Sequence, residues 1–244
     1  MIRYPMPKAR LHQYPPVGRM RSLSPYCWKV EMALVAKGVD YELLNTLNPK
    51  RANPLGKLPY LELDGQGYED STHIVRTIDA ISEHGPRLIP GDPSLAAEVD
   101  ILEDWADESL YWHGFRAKFV DDEGWSHLSA EMAKLLPVKG LGVIAKPFIR
   151  RDLMGKIGAQ GLSRRLPERA DEELDRHLDS LETRLSDRNY LVGDGLTIAD
   201  LSVTAMIGQL TVGLTPAVAH RIAHRPKLSA FLARVFEQTA PPLG

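Results

Sequence analysis

Leu58-Pro59-Tyr60-Leu61-Glu62-Leu63-Asp64-Gly65-Gln66-Gly67-Tyr68-Glu69-Asp70-Ser71 is the stretch that decides how the N-terminal part of the chain is built. Leu58 to Leu63 reads as a strand. Asp64-Gly65 is a strong two-residue hairpin signal, because both residue types tolerate the positive φ such a turn demands. Gln66 to Glu69 then returns antiparallel, and Asp70-Ser71 opens a helix running to Ile81, with Ile74, Ile78 and Ile81 on one stripe. Upstream, Leu11 to Tyr14 is a short strand closed by Pro15-Pro16. Ser24-Pro25 opens a helix, since serine is a good N-cap and proline fits the first helical position. Cys27, Val30 and Leu34 give that helix an apolar face, and Gly38 stops it. Val39 to Leu44 is a second strand, and Thr46 to Lys57 an irregular connection. The order β-α-β followed by β-β-α requires one parallel crossover and one hairpin, hence a mixed four-stranded sheet.

His84 to Pro93 is rich in proline and glycine, which places a domain boundary there: residues 1–84, a linker at 85–92, and residues 93–244. Beyond it strand signals vanish. Helical periodicity runs from Pro93 to about Phe119 and over Leu128–Leu135, Glu168–Leu185, Ile198–Leu210 and Pro226–Gln238, predicting an all-α bundle. Within it, Thr197 and Asp200 have the spacing of a capping box, with Leu196 and Leu201 placed to staple across it.

Of 244 residues, 43% are hydrophobic and 25% charged, which excludes disordered, collagen-like and disulfide-stapled chains. The formal net charge of −2 supplies no electrostatic reason for a nucleic-acid or anionic-membrane partner. A lone cysteine closes no intramolecular disulfide. The first ten residues lack the apolar run of a secretory signal and no segment approaches a membrane span, so a cytoplasmic protein is expected.

Three places in the N-terminal part carry chemistry. Ser24-Pro25-Tyr26-Cys27 starts a helix, whose unpaired N–H groups and partial positive charge favour anions, thiolates included. A cis proline at Pro59 would expose the N–H and C=O of Leu58 to a peptide-like ligand. Asp70-Ser71, at the next helix start, suits a carboxylate and an ammonium. Together they describe a site for a molecule with a thiol, a peptide backbone and a zwitterionic end, the shape of glutathione. Each piece alone also has a plain structural role: N-cap, edge-strand proline, ordinary helix start.

With Gly56-Lys57-Leu58-Pro59-Tyr60-Leu61, Glu69-Asp70-Ser71-Thr72-His73-Ile74 and the Thr197–Asp200 capping box, Leu11 to Gln238 resembles a cytosolic glutathione transferase, with a thioredoxin-like N-terminal domain and an all-helical second domain. Ser-Pro-Tyr-Cys with Asp-Ser leans toward the metaxin-like and failed-axon-like branch. The resemblance implies that Ser24 activates glutathione, with Tyr14 and Cys27 as alternatives. It implies that Leu58 pairs its backbone with the cysteinyl part, Pro59 being cis, and that Asp70 and Ser71, with Lys57 nearby, bind the tripeptide. It also implies a homodimer, glutathione as co-substrate and no metal. Asp70 stands where the family usually has glutamate, one methylene longer.

A thiol of pKa about 8.5 is only roughly 3% ionised at pH 7. Lowering that pKa by about two units takes about 2.7 kcal/mol, within reach of one charge-assisted hydrogen bond and a helix N-terminus. The expected activity is addition of that thiolate to an apolar electrophile. The alternatives are a non-catalytic ligand-binding protein of the same fold and a glutathione-dependent thiol-disulfide or peroxide reductase using Cys27. Trp105, Tyr111, Trp112, Phe115 and Phe119 are the expected second-substrate cluster, with interdomain core as the competing reading. Arg19 and Arg21 are placed on a lid rim where they would attract an anionic peptide. Lys134 to Gln160 resembles an insertion over the pocket. His220 and His224, and the acidic run Glu103-Asp104, Asp107-Glu108, read as solvated helix faces.

Overall fold

The computed structural model describes residues 9–135 and 141–241, without the side chains of 141–145. Four strands, β1 (Ala9–Gln13), β2 (Tyr41–Asn45), β3 (Tyr60–Leu63) and β4 (Gln66–Glu69), form one sheet in the order β2-β1-β3-β4. β1 pairs parallel with β2 and antiparallel with β3, which pairs antiparallel with β4; Leu11 faces Leu43 on one side and Leu61 on the other. The hairpin is the one expected: Asp64 and Gly65 both have positive φ, 51° and 84°, as its two-residue turn requires.

Helices α1 (Pro25–Ala36) and α3 (Ser71–Ile81) pack against each other. Gly38 follows α1 at φ 59°, the left-handed turn that ends it. The connection from Thr46 to Lys57 contains one helical turn, α2 (Pro49–Ala52), opened by a proline at its first position. On α3 the apolar stripe comprises Ile74, Val75 and Ile78, all fully buried; Ile81 is 46% exposed, because it is the last residue of the helix, where the stripe emerges into solvent.

The rest is helical. A long helix begins as α4 (Pro93–Trp105), passes through a π-helical turn at Ala106–Leu110 into α5 (Tyr111–Phe115), and ends in a second π turn at Arg116–Val120. Next come α6 (Asp122–Lys134), α7 (Leu141–Gln160), α8 (Pro167–Arg184), α9 (Ile198–Val203, extended by a π turn to Gly208), α10 (Pro216–Ala223) and α11 (Pro226–Gln238). The periodicity does not predict α7 or α10: α7 carries Pro147 in its interior, and α10 is only eight residues long. Among the described residues no single helix is long and apolar enough to cross a membrane.

The expected single apolar face of α1 is incomplete, for Lys29 and Glu31 are buried with Cys27, Val30 and Leu34. The helix packs on α3 and also on α9 and its π turn, so it has water on few sides. One apolar cluster therefore runs from the sheet into the helical part, joining Leu11, Leu34 and Ile74 to Leu110, Leu201 and Phe231. Trp28 of α1 stacks on Phe236 of α11, centroids 5.4 Å apart, a pair contributing about 0.5–1.5 kcal/mol beyond its burial. The Thr197–Asp200 cap is buried as well: Asp200 accepts from Thr197 N–H, Thr197 Oγ1 and Leu191 N–H, each at 2.7 Å.

Lys118, in the second π turn, is 2% exposed. Its ammonium donates to Gln209 Oε1 at 2.5 Å and lies 5.4 Å from the Phe119 ring, so burial pushes its pKa down to about 7. An unfolded lysine titrates near 10.4, so above about pH 7 the unfolded chain holds more protons and stability rises with pH. Urea unfolding should show a gain of about 1 kcal/mol per pH unit between pH 7 and 9. Lys118→Met should lose that slope and be more stable than the parent at pH 7.

Candidate functional site

The segment leading into β3, the end of β4 with the start of α3, and one face of α4 enclose a cleft of about 480 Å³. Lys57, Leu58, Pro59, Asp70 and Ser71 all line it. The Leu58–Pro59 peptide is cis. Among the described residues, no turn, loop or cap hydrogen bond uses the N–H or C=O of Leu58. Asn53, buried and unremarked in the sequence, shapes the approach: its amide donates to Lys57 O at 3.1 Å and its side-chain oxygen accepts from Leu55 N–H at 2.8 Å. Asp70 caps α3 by accepting from Thr72 N–H and His73 N–H at 3.0 and 3.1 Å, with its own φ at 66°. Ser71, the first residue of α3, is 5% exposed.

The opposite wall is acidic: Glu103, Asp104, Asp107 and Glu108 of α4 and its π turn. The reading of this run as a solvated face holds for Asp104 and Glu108 and fails for Glu103 and Asp107, which are buried. The reason is Lys29, fully buried on α1, whose ammonium donates to Asp107 Oδ2 at 2.7 Å, to Thr72 Oγ1 at 3.2 Å and to Glu103 Oε1. Thr72 Oγ1 also donates to Glu103, and Tyr26 OH to the Asp107 carbonyl at 2.8 Å. Burial pushes the Asp107 carboxyl up to about 6 against the pull of Lys29. Asp107 Oδ1 is buried with no partner of its own. The i, i+4 spacing of Glu103 and Asp107, and Lys29 set among the apolar residues of α1, were the legible signals of this network.

Ser24 is not in the wall of the cleft; Tyr26, two residues later, is. Ser24 stands at the N-cap of α1, yet its hydroxyl makes no capping bond to the helix amides. The Cys27 thiol, fully buried, sits against the hydroxyls of Ser24 and Ser22 and the backbone of Tyr14, and burial pushes it up to about 11. Burial likewise raises the Tyr14 phenol. Of the two lid-rim arginines, Arg19 is exposed, whereas Arg21 is committed to buried Glu31 through bonds of 3.0 and 2.5 Å. It ties the loop to α1 instead of standing free for a bound anion.

The aromatic residues pack on one another. Tyr111–Phe115 and Phe115–Phe119 are ring contacts at 5.8 and 4.6 Å, made by residues four apart on one helix face. Phe115 and Phe119 are buried, Tyr111 and Trp112 half-buried. Trp105 lies elsewhere, edge-on to His177. A separate apolar cavity of about 210 Å³ is lined by Leu23, Leu47, Trp125, Met132, Leu135 and Ile149, directly beside Ser24 in sequence. Lys146 and Ile149 of α7 belong to its wall, while residues 136–140 of the expected insertion lie outside the described residues. His220 and His224 are exposed, as expected.

Residues 21–86 match the family model of the glutathione S-transferase N-terminal domain, and residues 147–239 that of the C-terminal domain. The chain belongs to the cytosolic glutathione S-transferase superfamily. Glutathione is the co-substrate of that family, which needs no metal. The chain is 28% identical over 206 residues to isoprene-epoxide–glutathione S-transferase of Rhodococcus sp. strain AD45, covering 79% of this chain and 82% of that one. It is 30% identical over 217 residues to Failed axon connections of Drosophila melanogaster, covering 82% of this chain and 49% of the relative, about half its length. These comparable similarities do not single out the metaxin-like and failed-axon-like branch. Among solved structures, the β-etherase LigF of Sphingobium sp. strain SYK-6 superposes with a TM-score of 0.64 at 23% identity, covering 96% of each chain.

Proposed function

We propose that the protein is a glutathione transferase that ionises bound glutathione and adds its sulfur to a small, largely apolar electrophile. The observation that carries this reading is the convergence, in one cleft, of an uncommitted Leu58 backbone beside Pro59 and the Asp70-Ser71 helix start. Leu58 would pair with the cysteinyl unit, Asp70 and Ser71 would hold the γ-glutamyl end, and Lys57 a carboxylate. The acidic α4 wall suits the ammonium of the same tripeptide. Ser24 would donate to the thiolate at the N-terminus of α1, its hydroxyl being spared from capping. The sulfur then attacks an electrophilic carbon, the bond to the leaving atom breaks, and that atom takes up a proton.

The apolar cavity beside Leu23 is the proposed seat of the electrophile. Relatives named for an isoprene epoxide and a β-ether fit the same class of strained or activated C–O bond. A reductase using Cys27 is disfavoured by that thiol's complete burial and raised pKa. A two-fold homodimer in the cytoplasm completes the reading, by likeness to the family.

Titrating the protein with glutathione while following thiolate absorbance tests the proposal: a thiolate signal at pH 7 is expected, and binding without one would favour a non-catalytic carrier. Ser71→Ala should raise KM for glutathione about 10-fold with kcat nearly unchanged, the loss of one charge-assisted hydrogen bond made in ground and transition states alike. Steady-state kinetics in glutathione checks it.

A further inference from the structure

We propose that His113, Glu173 and His177 form a binding site for a zinc-type divalent metal, clamping α5 to α8. Glu173 and His177 are four apart on α8 and so share a helix face, which looks across at His113 on α5. One ligand atom from each of the three lies within 4.8 Å of the other two. The imidazoles meet edge to face, centroids 5.4 Å apart. The decisive feature is that His113 Nδ1 and His177 Nε2 are both buried and both lack a hydrogen-bond partner. Buried polar atoms are almost always satisfied, and two orphaned imidazole nitrogens beside a carboxylate are the donor set that borderline metals take.

The protonation states agree. Burial lowers the pKa of both histidines, His113 to about 4, with His177 and the arginines of neighbouring elements acting in the same direction. Desolvation favours the uncharged imidazole, the form that offers a lone pair to a metal. The surrounding arginines do not oppose a cation unchecked. Arg116 pairs with Asp121 and Asp171, Arg221 with Asp171 and Asp175, and Arg165 with Glu173 Oε2. Glu173 Oε1 is 3.7 Å from Arg176, which leaves it room for a second partner. Tetrahedral ligands at about 2.0–2.1 Å from zinc sit roughly 3.3 Å apart, so modest side-chain rotations close this group on a metal, with water in the fourth position. None of the three residues lines the cleft proposed for glutathione, so the site would serve the helical part of the fold and not the thiol chemistry.

The test is a titration of chelator-stripped protein with cobalt and zinc chlorides, followed by visible spectroscopy and calorimetry. The expected result is a single cobalt per chain with tetrahedral ligand-field bands, displaced by zinc, and a melting temperature that rises with zinc. His177→Gln and Glu173→Gln should each weaken binding more than ~100-fold without changing the far-ultraviolet spectrum of the metal-free protein. Glu173→Gln, on a partly exposed side chain, serves if His177→Gln fails to fold. His220→Ala, which breaks the exposed His220–His224 pair, should leave binding intact. The proposal is overturned if cobalt does not bind, if binding survives His177→Gln and Glu173→Gln, if His220→Ala alone removes it, or if crystals grown with zinc show a water between the two imidazoles.

Discussion

Ser24→Ala should lower kcat/KM about 10²–10³-fold and abolish the thiolate signal of bound glutathione at pH 7, the cost of losing one donor aimed at a developing anion. The serine sits at the start of α1, where the first amides of the helix are unpaired and the dipole favours negative charge. Its hydroxyl makes no bond to those amides. Removing it leaves the dipole but takes away the hydroxyl donor proposed for the thiolate. Two controls make the result specific. Cys27→Ala should keep the thiolate signal, because a fully buried thiol pushed up to about 11 holds no charge at neutral pH. Tyr14→Phe should keep it too, since burial raises the Tyr14 phenol and makes it a poorer donor. Loss of the signal in Tyr14→Phe with retention in Ser24→Ala would transfer the role to Tyr14.

The second large effect is on stability. Lys29→Met should destabilise the fold by about 3–5 kcal/mol at pH 8, because it strands Glu103 and Asp107 in the interior without their cation. The deficit should shrink on acidification, and the sign follows from Asp107. Its pKa in the folded protein is already about 6 beside Lys29, against about 3.9 for an unfolded aspartate. Between those values the folded state holds more protons, so for this group stability rises as pH falls from about 6 to about 4. Without the lysine the Asp107 carboxyl loses the cation that pulls its pKa down, and protonating it relieves more of the penalty. Urea unfolding at pH 8 and pH 5.5 measures the difference; a deficit that does not change with pH would refute the account. Combining Lys29→Met with Glu103→Leu and Asp107→Leu should recover most of the loss, since an apolar set of similar volume needs no compensation.

Much of the N-terminal part was legible because its signals are local. Asp64-Gly65 specifies a hairpin through the φ values its two residues adopt, and Gly38 ends α1 for the same reason. Asp70 caps the helix it precedes through bonds spanning two and three residues. The cleft was legible piecewise, as Lys57, Leu58, Pro59, Asp70 and Ser71. Its opposite wall was misread, because whether an acidic i, i+4 pair faces water depends on a lysine more than seventy residues away. The aromatic run left pocket lining and interdomain core both open in the sequence; in the fold Phe115 and Phe119 are buried against each other, and an open apolar volume lies by α6 and α7. α7 escaped notice because an interior proline and an unclear stripe hide it.

The order of the four strands with α1 and α3, the Asp64-Gly65 turn, the Asp70 cap and the resemblance that names the family are properties of neighbouring residues, and the chain alone determined them. The burial of Lys29, Lys118 and the His113–His177 pair, the acidity of one cleft wall and the position of the apolar cavity belong to the packed molecule. They arise from desolvation and long-range pairing, which exist only once distant segments meet, and the same charged side chain costs little in water and a great deal in a core.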